Sequence, residues 1–212
     1  MATLQDNQSG SNNTAIGTQS LRHNISGSNN TAIGQDSLLS NTDGSANTAV
    51  GVDTLEFNTS GNFNVAFGIS TLSSNTTGNN NVAVGNYSLD GVVTGGTNTA
   101  LGNYAGKSAQ GSGSVYIGYE AGYSETGSNK LYISNSSSTN LITGDFSTGN
   151  LSLGQTQGTV SVLNALSVTG AVSLSNALTV AGTLTSSGDA YVVGDLYVNN
   201  GTLLSTYISS IA

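Results

Sequence analysis

The amino-acid sequence predicts an all-β protein whose larger part is a solenoid of 17-residue coils. Three observations carry this. The stretch GSNNTAIG at Gly10 to Gly17 returns letter for letter at Gly27 to Gly34. Fixed columns then stay in phase along the first part of the chain: Gly17, Gly34, Gly51, Gly68, Gly85, Gly102 and Gly118 close each unit, and Gly10, Gly27, Gly44, Gly61, Gly78, Gly95, Gly111 and Gly127 open it. The segments between glycines are too short for stable helices and rich in Thr, Ile, Val and Asn, with no Pro anywhere in the chain.

A unit of 17 residues, extended at about 3.3 Å per residue, has a contour of roughly 56 Å. That suits one coil of two short strands and two turns, with neighbouring coils stacked about 4.8 Å apart through backbone hydrogen bonds. Asn13, Asn30, Asn47, Asn64, Asn81 and Asn98 hold one column, and Asn24, Asn41, Asn58 and Asn75 mark a turn. Stacking turns such columns into ladders of side-chain amides; turn chemistry and tolerance of left-handed backbone are the simpler roles, and ligand binding the alternative. Leu21, Leu38, Leu55, Leu72 and Leu89 hold an apolar column.

The strand motif sets a small residue beside a large one. The pairs are Ala15 and Ile16, Ala32 and Ile33, Ala49 and Val50, Ala66 and Phe67, Ala83 and Val84, Ala100 and Leu101. Successive side chains of a strand point to opposite faces, so one column fills the coil interior beside the Leu column and the other lies outside. Sequence alone leaves open which is which. Either way an apolar stripe roughly 30 Å long lies on the surface. Monomers rarely expose such a stripe, so both columns are assigned to repeat core and subunit packing.

The last units deviate. At Gly102 to Gly106 and Gly118 to Gly122 the Leu column gives way to Gly, the unit shortens to 16, and Tyr104, Tyr116, Tyr119, Tyr123 and Tyr132 gather. Terminal repeats are normally atypical, which favours a cap; a sugar-stacking platform is the functional alternative, with Tyr104, Tyr119 and Tyr123 as candidate glycan contacts. After Ser134 the register is lost. We therefore divide the chain into a β-roll repeat domain (1–134), a junction with one or two strands (135–158) and a β stalk or anchor region (159–212). In the last, ALSVTG, ALTVAG and AYVVG end at Gly170, Gly182 and Gly194, a spacing of 12, with strand-like alternation such as Leu166 and Val168. Strands this short have little to bury against unless several chains combine in a β-prism-like stalk. The apolar end GTLLSTYISSIA is expected to dock onto the assembly or onto a partner.

Composition narrows function. Three basic residues face 11 acidic ones, a net charge of −8, and charged residues make up 7% of the chain. Phosphate recognition and attraction to anionic membranes both need clustered Lys or Arg, so neither nucleic acid nor a membrane surface is an expected partner. No apolar run is long enough to span a bilayer as a helix, and the stretch from Met1 to Gly10 does not resemble a signal peptide. Cys is absent, which removes disulfides and thiolate sites. His23 is the only histidine, Asp43, Asp53, Glu56 and Asp90 scatter over turns, and Asp189 and Asp195 flank the last 12-residue unit. This leaves no metal, cofactor or catalytic constellation to expect, and no enzyme. Thr14, Thr31 and Thr48 would suit ice binding, but Val65 and Val82 interrupt the array.

The NNTAIG units resemble the head repeats of trimeric autotransporter adhesins, and the 17-residue form with GNNNVAVG, SSNTTG and GYEAG is closer to repeats of bacteriophage tail fibres. LITGDFSTGNLSLG and ALSVTGAVSLSNALTVAGTL resemble the segments and stalks that follow such repeats. The resemblance implies a left-handed parallel β-roll, a homotrimer, and a structural fibre protein of a virion (tail fibre, head fibre or capsid decoration) that serves host attachment. Its expected partners are copies of itself, other virion proteins through the C-terminal region, and a host-surface glycan. The alternative is a cell-surface or secreted glycan-binding adhesin.

Overall fold

The computed structural model describes residues 3–154, 160–162, 166–169 and 171–173, and the backbone of 197–198 and 202–203. The chain divides into two units, 1–161 and 162–212. In the first, seven three-residue strands follow one another: β1 (Thr14–Ile16), β2 (Thr31–Ile33), β3 (Thr48–Val50), β4 (Val65–Phe67), β5 (Val82–Val84), β6 (Thr99–Leu101) and β7 (Val115–Ile117). Then come β8 (Lys130–Ser134), β9 (Asn140–Asp145) and β10 (Asn150–Leu153). β1 to β8 pair in parallel and in strict register, Thr14 with Thr31, Ala15 with Ala32, Ile16 with Ile33, and onward to Ile117 with Ile133. The first unit is thus an all-β parallel solenoid with the coil length that the glycine columns set.

The sheet continues past the solenoid. β9 returns antiparallel on β8, with an irregularity at Ile133 and Ser134, and β10 pairs antiparallel with β9. In the second unit β11 (Tyr197–Val198) and β12 (Thr202–Leu203) form a short antiparallel pair. The expected stalk and the apolar C-terminal segment otherwise lie outside the described residues.

Each coil carries one strand, where the sequence suggested two. The reason is the sign of φ. Gln19 and Leu21 in the first coil, Asp36 and Leu38 in the next, and Asp53 and Leu55 after them have φ between 49° and 58°, and their equivalents higher up are likewise positive. Left-handed residues cannot continue a pleat. The coils still bond there, Leu21 N–H to Ser37 O at 2.9 Å and Leu38 N–H to Thr54 O at 3.0 Å. A non-glycine residue in this region costs roughly 1–2 kcal/mol. Each Leu of the column is fully buried, which returns about 1.5–3 kcal/mol, so burial carries the strain.

The interior is part grease and part amide. The Leu column packs against Ala32, Ala49, Ala66, Ala83 and Ala100, all fully buried. Asn41, Asn58 and Asn75 each donate Nδ2–H to the Oδ1 of the Asn one coil earlier, at 2.7–2.8 Å, and to a glycine carbonyl three residues on. In the second ladder Asn47, Asn64, Asn81 and Asn98 each use backbone N–H and Nδ2–H on the preceding Oδ1, and Nδ2–H also on the carbonyl that opens the next unit. These ladders carry the Asn columns; the left-handed positions belong to neighbours such as Asn12 and Asn29. The glycine columns allow the close stacking. A Cβ on Gly44 would sit 2.6 Å from Gly61 O and 2.7 Å from Asn58 Nδ2.

The pattern changes at the top. Val92 replaces the next Asn, so the buried Asn75 Oδ1 has no donor. Tyr116 stands where earlier coils have Ala, opposite Ala100, and is fully buried. Gly106 and Gly122 stand where they have Leu, with φ of 59° and 60°. A Cβ on Gly106 would meet the Tyr116 ring at 2.7 Å. Large and small have exchanged places, and the ring fills the space two leucines would have taken. Tyr132 stacks on Tyr116 at 6.1 Å and closes the core. Tyr116→Ala should therefore cost about 3–5 kcal/mol through the cavity it opens, read as a lower thermal or denaturant midpoint. Adding Gly106→Leu should recover part of that loss, whereas Gly106→Leu alone should destabilise.

Candidate functional site

Alternation along each strand decides what the solenoid shows to its surroundings. The middle residue points in, and the flanking residues point out. The Ala column therefore belongs to the coil's own core. Ile16, Ile33, Val50, Phe67, Val84, Leu101 and Ile117 form the outward column, with Ile16 59% exposed and Phe67, Val84 and Leu101 each near 40%. Beside it runs a parallel column of Thr14, Thr31, Thr48, Val65, Val82, Thr99 and Val115. The register of the sheet thus builds an uncharged two-column face along the solenoid, one column apolar and the other mixed Thr and Val.

The tyrosines separate into two groups. Tyr116 and Tyr132 lie inside, as the cap described above. Tyr104, Tyr119 and Tyr123 come together outside, joined by Tyr87. The Tyr87 and Tyr104 rings are parallel within 1° at 5.3 Å; Tyr119 meets Tyr104 edge-on at 6.1 Å, and Tyr123 lies tilted at 6.4 Å. Lys107 Nζ sits 5.4, 5.3 and 5.6 Å from the centroids of Tyr87, Tyr104 and Tyr123, within range of cation–π attraction. Tyr87 and Tyr104 each follow an asparagine of an outer ladder, Ile69 N–H donating to Asn86 Oδ1 and Asn86 N–H to Asn103 Oδ1, both at 2.9 Å. The Glu120 carboxylate beside Tyr119 pushes that hydroxyl's ionisation up. Tyr87 was legible in the sequence, since Asn-Tyr stands at 86–87 and again at 103–104, one repeat on. Lys107 was not, because its role depends on which way three neighbouring rings turn.

The acids are less scattered than the sequence suggested. Burial first, then Asp53 and Asp36 one coil apart, push Glu56 above its ordinary value. His23 Nδ1 lies 2.7 Å from Asp6 Oδ2 and ties the first coil to the partial coil beneath it. Among the described residues no group of three or more His, Asp and Glu side chains is placed to hold a metal ion, and no helix is long and apolar enough to cross a membrane. No protein-family model, curated protein or solved structure matches the chain.

The antiparallel hairpin is fastened by polar contacts. Lys130 Nζ lies 2.6 Å from Asp145 Oδ2, and the Tyr132 hydroxyl donates to Glu125 Oε2 at 2.6 Å. Lys130 first, then Ser147, holds the Asp145 carboxyl well below the usual carboxylate range. The hydrogen bond to Asp145 raises Lys130, and burial with Glu125 pushes Tyr132 up to about 12. A lowered acid stabilises above its unfolded value and loses this as pH falls through its folded one; a raised Lys or Tyr stabilises below its unfolded value and loses it as pH rises. Protection of the β9 and β10 amides from hydrogen exchange, corrected for intrinsic rates, should thus persist through the ordinary carboxylate range near about pH 4 and fall only in stronger acid or above about pH 10. Lys130→Met should abolish the acid plateau.

Proposed function

We propose that this chain is a structural, homotrimeric fibre protein of a bacteriophage virion, serving as tail fibre, head fibre or capsid decoration in host attachment. The outward column of Ile, Val, Phe and Leu over seven coils is the observation that carries the reading. An uncharged apolar face of this length is covered in soluble proteins by association. Here the solenoid's own core already holds the Ala column, so the cover comes from copies of the chain about a common axis. The left-handed winding, the threefold state, a β-prism-like stalk from the C-terminal region and its docking to other virion proteins follow from the resemblance of the NNTAIG units and of the segments after them. Coils bonded to one another throughout, with few charges, suit a surface that meets proteases and changing salt.

Sedimentation of the native protein should give three times the subunit mass of 21.2 kDa. Val84→Asp, which sets three like charges at the axis, should shift the protein to single subunits or to aggregate while Ser40→Asp leaves the mass unchanged. A wild-type single subunit would overturn the oligomer. Antibody against the chain should label fibres or surface projections of particles in the electron microscope; label confined to bacterial surfaces would favour the adhesin alternative.

A further inference from the structure

The outer tyrosine cluster has the parts of a saccharide site, and its charges say which kind. Of the three basic residues in the chain, Lys130 is paired with Asp145 and Arg22 donates to Gln19 Oε1 at 2.8 Å. Lys107 makes no ion pair with a carboxylate among the described residues; it is steadied by three tyrosine rings and keeps its ammonium protons for an acceptor. Asp90 occupies the same column one coil earlier, and Glu120 stands beside Tyr119. The patch thus offers a fixed donor, carboxylate acceptors, four phenol groups and one exposed ring, Tyr119, at 46%. Its charges and phenol hydroxyls are unsuited to a lipid tail. Its single cation cannot neutralise a phosphate backbone. The local acids and the net charge of −8 oppose an anionic ligand.

We infer that Tyr87, Tyr104, Tyr119, Tyr123 and Lys107 form a binding site for a neutral hexopyranose chain. The C–H face of a sugar ring packs on Tyr119, which Tyr104 supports edge-on, Lys107 donates to ring or hydroxyl oxygens, and Glu120 accepts from hydroxyls. Tyr87 and Tyr104, one coil apart, stack on each other at 5.3 Å, so the sugar chain meets the edges of that pair and lies on the exposed Tyr119 ring. This deepens the attachment reading, on which it rests, by naming the chemistry that is gripped.

The experiment is saturation-transfer NMR on the purified full chain with neutral tetrasaccharides of β-1,4-glucose, α-1,4-glucose, β-1,4-galactose and β-1,4-mannose, and with tetragalacturonate as the anionic comparator. Transfer to ring protons of at least one neutral tetrasaccharide is expected, with weaker transfer to tetragalacturonate. Tyr119→Ala and Tyr104→Ala should each lower affinity about tenfold. Both should fold, because Tyr119 is exposed and Ala46 already adopts the φ that Tyr104 needs. Lys107→Met should weaken binding about fivefold. No transfer to any neutral tetrasaccharide, preference for tetragalacturonate, or binding unchanged in both tyrosine variants would overturn the site. The native mass tests the fibre reading separately, so a trimer without sugar binding loses only this site, and a single subunit that binds sugar keeps it.

Discussion

Everything in the first unit depends on strict register between coils. Parallel stacking puts identical positions above one another, so each column must be a residue that can sit on a copy of itself. Glycine does so where backbones nearly touch. Asparagine does so because its amide is donor and acceptor at once, and Asn41 on Asn24 repeats in Asn58 on Asn41. Buried and unpaired, such amides would each cost about 1–3 kcal/mol; in line, they satisfy one another. The same register forces Leu into a left-handed backbone and then compensates it by full burial.

Register also explains the exterior. A strand that turns its middle Ala inward must turn both flanking side chains outward, because the strand alternates. Strand geometry thus fixes which positions face outward, and the residue types at one of them, Ile, Val, Phe and Leu, make that column apolar. That choice of residue type at Val84 and Leu101 is the strongest support for self-association.

Much of this was legible in the sequence. The coil length, the Leu column, the amide ladders and the exchange of Leu for Gly near Tyr116 all follow from period and residue size. Two strands per coil did not survive, because left-handed φ at Gln19 and Leu21 leaves no clear mark in residue type; Leu is an unusual choice there. Which face of the Ala–Ile pair turns inward is decided by packing against the Leu column on the far side of a turn, a contact that residue order does not encode. The outer cluster was half visible. Tyr104, Tyr119 and Tyr123 announced themselves by composition, whereas Lys107 depends on side-chain direction.

One ladder has a further property. In each amide one N–H points toward the first coil and the other toward a glycine carbonyl three residues on, while the side-chain carbonyls from Asn7 to Asn58 point toward the next coil. Backbone bonds between coils run both ways, as Leu21 to Ser37 and Asn29 to Ser11 do, so they largely cancel, but the amides add. The ladder consequently has an electrical head and tail of its own, and its electron-rich pole is the bare oxygen of Asn75, one coil before the buried Val92.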